Sequence, residues 1–174
     1  WTDQEVANLD QAFLDLYRTA GSTRILKDTI CAGPLEFVKD ASTAGYEGMN
    51  ETFNSGGTLC RRIHIRDWSE SDSTESWARR RTAIHEIAHN WDDHREAVYH
   101  PGGTGYWWDF MAQNTSSQNP SDYARPYGMT NPHEDFATCL EVAAGYPTGQ
   151  FPAAPSSVLL KKLKAFDNFF ASFA

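Results

Sequence analysis

The sequence of 174 residues contains no long apolar run. Nothing in it approaches the ~18 consecutive apolar residues that a membrane-crossing helix needs, so no membrane span is expected. Basic residues are scarce: 15 Lys and Arg stand against 23 Asp and Glu, a net charge of -8, and they gather only at Arg79-Arg80-Arg81. Such a surface repels phosphate backbones, which excludes nucleic acid as an expected partner and favours basic substrates. Cysteine is sparse as well. Cys31, Cys60 and Cys139 offer no C-x-x-C spacing, which argues against a cysteine zinc knuckle or a thioredoxin-type centre. Cys31 and Cys60 could form one disulfide in an oxidising compartment and leave Cys139 as a buried thiol; three reduced, buried cysteines are the alternative. Neither an initiator Met nor a signal-like apolar segment is present at Trp1, so the expectation is a secreted, extracellular protein whose leader has been removed. With no internal repeat, low-complexity tract or break in composition, residues 1–174 are read as a single domain and a monomer. A chain of this length buries roughly two-thirds of its unfolded surface and needs no metal merely to fold.

What is present reads as an α+β domain. Thr2-Asp3-Gln4-Glu5 is a capping box, and apolar residues at helical spacing from Val6 to Tyr17 predict a helix over about 3–20, stopped by Gly21. Arg24–Ile30 and Leu35–Val38 could be strands, while Ala41–Gly57 is rich in Gly, Ser, Thr and Asn and reads as turns. Leu59, Arg61, Ile63 and Ile65 alternate with Cys60, Arg62, His64 and Arg66, the period of a half-buried strand. Its polar positions suggest an edge strand, and such an edge can add an extended peptide. Residues 101–131 form a long loop-rich segment holding the aromatic cluster Tyr106-Trp107-Trp108-Asp109-Phe110. Asn131-Pro132 opens a further helix, with Asn131 as N-cap, Pro132 at N1 and Glu134 at N3. Ser156 or Ser157 caps a last helix with an apolar stripe at Leu159, Leu163, Phe166 and Phe170.

Between strand and loop lies His85-Glu86-Ile87-Ala88-His89, an H-E-x-x-H sequence within a helix expected over Thr74–Trp91, with Ser71 or Ser73 as possible N-caps. At about 100° per residue the two histidines lie about 40° apart, one turn above the other, with Glu86 about 60° to the side of His89. Two imidazoles so placed can hold one Zn²⁺ while the carboxylate reaches its water. Trp77, Ile84, Ala88 and Trp91 form a separate stripe that would bury the helix and leave the histidine face open.

A catalytic zinc site needs a third protein ligand and one open position. The metzincin ending fails, because Asp92 stands where its Gly belongs and Arg95 where its third His belongs. An aspzincin ending has Gly103-Thr104 but Tyr106 at the Asp position, leaving Asp109 as an alternative ligand. The gluzincin ending takes a Glu from a later helix, and Glu134 is the best placed. Glu134 at N3 is also where a helix cap would put a glutamate without any metal.

His85–Asp93, followed by Tyr127-Gly128-Met129-Thr130-Asn131-Pro132-His133-Glu134-Asp135-Phe136-Ala137, resembles the catalytic domains of anthrax-lethal-factor-like metallopeptidases and the secreted Pro-Pro endopeptidases. The likeness covers about residues 74–145. It implies a zincin-like metallopeptidase fold: a small twisted sheet with an edge strand next to the active-site helix, and further helices. It also implies one catalytic Zn²⁺ on His85, His89 and Glu134, Glu86 as general base, and Tyr127 as the hydroxyl that stabilises the oxyanion. Tyr123 competes for that last role. Thermolysin's orienting Asp, four residues after the ligand Glu, is replaced by Thr138, so Asp92, Asp93 or Asp135 would have to serve instead. His64, His100 and His133 have no partner at ligand spacing and are read as surface or capping residues.

The expected function is therefore a zinc-dependent endopeptidase acting on peptides or proteins. From another class, a noncatalytic module on a zincin scaffold could bind protein or glycan through residues 106–110. An intact Glu86 argues for the enzyme. Specificity would be set by the 59–66 strand, the 101–126 loop and the last helix.

Overall fold

The computed structural model describes residues 1–22, 35–41, 44–67, 73–98 and 118–171, with backbone alone for 59, 73–75, 92–98 and 169. Among the described residues, four α-helices and a three-stranded mixed sheet make up an α+β fold. Helix α1, Asp3–Ala20, starts at the expected capping box: Glu5 N–H donates to Thr2 Oγ1, and Thr2 N–H donates to the Glu5 carboxylate. It ends at Gly21, whose φ of 67° is the left-handed conformation that a side chain would disfavour. Ala12, Leu16 and Ala20 are buried along one face. Glu5 is buried too, held by Lys39 at 3.1 Å and Arg79 at 3.7 Å.

The sheet consists of β1, Leu35–Asp40, β2, Gly48–Ser55, and β3, Thr58–Arg66, in the order β1-β3-β2. β1 runs parallel to β3 and β2 antiparallel to it. This corrects two expectations. Residues 48–55 are a strand and not a run of turns, because β3 satisfies their backbone on one side while their polar side chains stay largely in water. Gly56 and Gly57, at φ 60° and 88°, form the two-residue hairpin that sets the register of Ser55 opposite Thr58. β3 is the central strand, not an edge; Ile63 and Ile65 are buried beneath the helices. Among the described residues, the outer strand beside the H-E-x-x-H helix is β2. The other expected strand, Arg24–Ile30, lies outside the described residues.

Helix α2, Ser73–Val98, continues through the charged run after Trp91. Its middle is largely buried: Ile84, Ile87, Ala88 and Trp91 enter the core, and His85 and Glu86 are only 6 % and 5 % exposed. The histidine face, expected to be open, is partly covered by later elements and reached through a cavity that His85, Glu86 and His89 line. Helix α3, Pro132–Ala143, begins at Asn131, whose Oδ1 accepts from Glu134 N–H at 3.0 Å. Helix α4, Ser157–Ala171, is capped by Ser156, whose Oγ accepts from Val158 and Leu159 N–H. Leu159, Phe166 and Phe170 bury its apolar face. Each large side chain buried in this core contributes about 1.5–3 kcal/mol by transfer from water.

Two features lock α3 in place. Lys162 of α4 and Asp135 of α3 are both fully buried and 2.6 Å apart, and Lys162 also donates to Asp122 O. Phe136 packs against Phe166 with ring centroids 5.0 Å apart and planes tilted by 40°. Among the described residues no helix is long and apolar enough to cross a membrane. Cys60 and Cys139 are buried; the proposed disulfide to Cys31 lies outside the described residues.

Candidate metal centre

Helices α2 and α3 bring His85, His89 and Glu134 together, with one donor atom of each within 4.8 Å of the others. Glu134 Oε2 lies 2.9 Å from His85 Nε2 and 3.6 Å from His89 Nε2, and the two imidazole nitrogens are 3.2 Å apart. Tetrahedral ligands 2.0–2.1 Å from a common ion sit about 3.3 Å from one another. The observed triangle has that size, so these residues could hold a metal ion. The competing role of Glu134 proves compatible with this one. Its backbone N–H is what Asn131 caps, while its carboxylate turns to the histidines.

Glu141 was not foreseen. It lies seven residues after Glu134, two turns along the same face of α3, and is 1 % exposed. Its Oε1 lies 2.7 Å from His85 Nδ1, and Arg125 Nη2 donates to the same oxygen at 2.8 Å. A carboxylate on Nδ1 fixes the ring orientation and leaves Nε2, whose N–H donates to Glu134, as the nitrogen a metal would take on losing that proton. Asp135, one of the residues expected to orient a histidine, does not do so. It faces the interior and pairs with Lys162. The side chains of Asp92 and Asp93 lie outside the described residues. Glu141→Gln should keep the fold and weaken metal binding about 10–100-fold, measured by competition with a chromophoric chelator; unchanged affinity would make Glu141 only a packing residue.

Electrostatics follow from this crowding. Burial alone would depress His85, but Glu134 and Glu141 outweigh it and hold the metal-free imidazole at about 9. Glu134 is also penalised by burial, yet His85 and His89 hold it well below the usual carboxylate range. A metal must therefore displace a proton from His85 at any pH below about 9, whereas Glu134 is already ionised. Apparent affinity should rise as pH approaches about 9, with about one proton released per ion. Calorimetry in buffers of different ionisation enthalpy reads that proton directly. The sign for the metal-free fold is opposite. A raised histidine stabilises it fully below its unfolded value of about 6.5, and that contribution is lost as pH rises through about 9.

Glu86 is placed beside the ligands without belonging to them. Burial raises its carboxyl, and His85 and His89 oppose the rise. The backbone of β2 lies directly over it: a Cβ on Gly48 would stand 2.6 Å from Thr82 Cγ2 and 2.7 Å from Glu86 Oε1. Only glycine allows that approach. Asn50 of β2 fastens the same strand to α2, donating to Glu86 O at 2.9 Å and to Asn90 Oδ1 at 3.0 Å.

The two tyrosines separate clearly. Tyr127 sits in a 3₁₀ turn, Pro126–Met129, its ring centroid 5.8 Å from that of His85 and 47 % exposed. Burial and the Glu134 carboxylate raise its hydroxyl. The turn rests on α3 at Gly128, where a Cβ would meet Thr138 Oγ1 at 2.8 Å. Tyr123, by contrast, is buried under the Lys162 ammonium, 4.3 Å from its ring centroid. His64 is neither a ligand nor a plain surface residue; it joins the strands through Asp40 at 2.9 Å and Glu51 at 3.1 Å. His133 is exposed at the start of α3. His100 and the 106–110 cluster, including Asp109, lie outside the described residues.

Two cavities flank Glu86, one of about 560 Å³ and one of about 330 Å³. Residues 45–48 line the larger and Gly48, Met49, Asn50 and Thr52 the smaller, so β2 and its approach, and not the 59–66 strand, form the described wall. Comparison with models of known protein families, with curated proteins and with solved structures finds no match to this chain.

Proposed function

We propose that this chain is a zinc-dependent endopeptidase, with Zn²⁺ on His85, His89 and Glu134. The observation that carries the reading is the convergence of these three donors beside a buried glutamate that is not one of them. Zinc bound there would supply a water of lowered pKa and polarise the scissile carbonyl. Glu86 accepts the proton of the attacking water and returns it to the leaving amine. Tyr127 donates its hydroxyl to the oxyanion of the tetrahedral intermediate, and its raised pKa keeps the proton available at neutral pH. Glu141 and Arg125 hold His85 in orientation. An extended substrate lies along β2, the outer strand among the described residues, where backbone groups can pair with it. Gly48 brings that strand against the base.

Supplying Glu134 as third ligand leaves Asp109 without a necessary role in the metal site. The reading is tested by loading the purified protein with zinc and digesting a mixed peptide library. Cleavage that a chelator abolishes and zinc restores is expected. A chain that binds one zinc and cleaves nothing in the library is a binding module.

A further inference from the structure

The larger cavity beside Glu86 brings two guanidinium groups to its lining, in a chain where basic residues are scarce. Arg81 and Arg125 both line it, and their side chains are only 15 % and 17 % exposed. Three carboxylates share the space. Glu86 faces the histidines, and Glu141 is engaged by His85 and Arg125. Glu47, on the approach to β2, meets Arg81 Nη2 at 3.1 Å but is 51 % exposed. Glu141 Oε2 is 3.9 Å from Arg81 Nε, beyond hydrogen-bond reach, and that Nε has no hydrogen-bond partner among the described residues. Arg81 is therefore a mostly buried cation whose one hydrogen-bonded carboxylate is exposed, its longer ion pair going to a Glu141 already engaged by His85 and Arg125. Its plane is supported from below by Trp77, whose ring centroid is 5.5 Å away.

A half-exposed ion pair holds weakly and is readily exchanged. A ligand carboxylate entering the cavity displaces Glu47 and gains a guanidinium in a water-poor setting, where a forked contact is strongest. We propose that Arg81 makes this cavity a pocket for an acidic side chain, so that the substrates are peptides with Asp or Glu next to the bond cleaved. The inference rests on the peptidase reading for its position relative to that bond. It reverses, locally, the preference for basic partners that a net charge of -8 suggests. Gln150 and Thr148 at the rim are neutral and add no competing charge.

The test is a set of short alkyl hydroxamates ending in a carboxylate, each matched by its carboxamide, titrated into the zinc-loaded protein by calorimetry. The carboxylate should bind about 10–100-fold more tightly than the amide, as expected of charge-assisted hydrogen bonds. In Arg81→Gln the ratio should fall to about one, and in Arg81→Lys it should be intermediate. Glu47→Gln, a change at an exposed site, should raise the ratio by removing the competitor. A ratio near one in the parent protein, or one that Arg81→Gln leaves intact, overturns the proposal. Library digestion separates the two readings. Cleavage without acidic residues at a fixed position removes the acidic pocket and keeps the peptidase. An Arg81-dependent carboxylate preference without any cleavage keeps the pocket and removes the peptidase.

Discussion

Glu86→Gln should retain one metal ion per chain and lower peptide hydrolysis by about 10²–10⁴-fold. The amide matches the carboxylate in shape, so the buried position against Gly48 and Thr82 is filled as before. The three candidate ligands are His85, His89 and Glu134, and Glu86 is not among them. What disappears is the ability to accept a proton from the attacking water. The measurement pairs kcat/KM on a cleaved peptide with metal content by atomic absorption. Cleavage at the parental rate would remove Glu86 from the role of base. Loss of metal together with activity would show that it was holding the site together instead. Folding is read separately from the far-ultraviolet circular dichroism of the same samples.

The second large effect is on stability, at Lys162→Met. Asp135 and Lys162 are both fully buried and 2.6 Å apart, so removing the ammonium strands a carboxylate in the core. Breaking a buried pair from one side typically costs ~3–5 kcal/mol, which in a domain of this size lowers the Tm by roughly 6–20 °C. The pH dependence identifies the cause. Burial raises Asp135, Lys162 lowers it, and the balance leaves it at about 6. Because its folded value exceeds the unfolded one, its contribution is fully present below about 4 and lost as pH rises through about 6. Without Lys162 the balance shifts further up, and the variant should be most destabilised at pH 7 and less so at pH 5. The double variant Asp135→Leu with Lys162→Met should recover most of the loss, since replacing both partners leaves no stranded charge. Equal losses at both pH values would instead assign the cost to packing of the lysine stem.

These two sites differ in how far the sequence revealed them. His85, Glu86 and His89 are fixed by helical geometry over five residues, and Glu134 is reached through a cap, Asn131-Pro132, that is itself a local signal. Helix α1 was equally legible, because its start and stop depend on Thr2, Glu5 and Gly21 alone. β2 was not. Its residues 48–55 alternate weakly in polarity, and the Gly56-Gly57 hairpin that defines it resembles any loop until β3 is seen beside it. The central place of β3 depends on pairing partners on both sides, which alternation cannot report. Glu141 was hidden for a different reason. Its distance of seven residues from Glu134 places it on the same face of α3, but only the packing of α3 on α2 shows that this face meets His85. Asp135 looked equally eligible in sequence and points the other way. Tyr123 and Tyr127 are likewise indistinguishable by type. The rigid turn at Pro126 and the close seating of Gly128 send one to the site and leave the other in the core.

The division of labour within Glu134 also bears on how the site is held. Its N–H is held by Asn131 and its carboxylate meets both imidazoles. The helix cap thus aims the carboxylate by fixing the first turn of α3, so one residue ties the local start of a helix to the contact between α2 and α3. If a metal is bound there, Asn131→Ala should weaken its binding without touching a ligand, because the cap that orients Glu134 is lost.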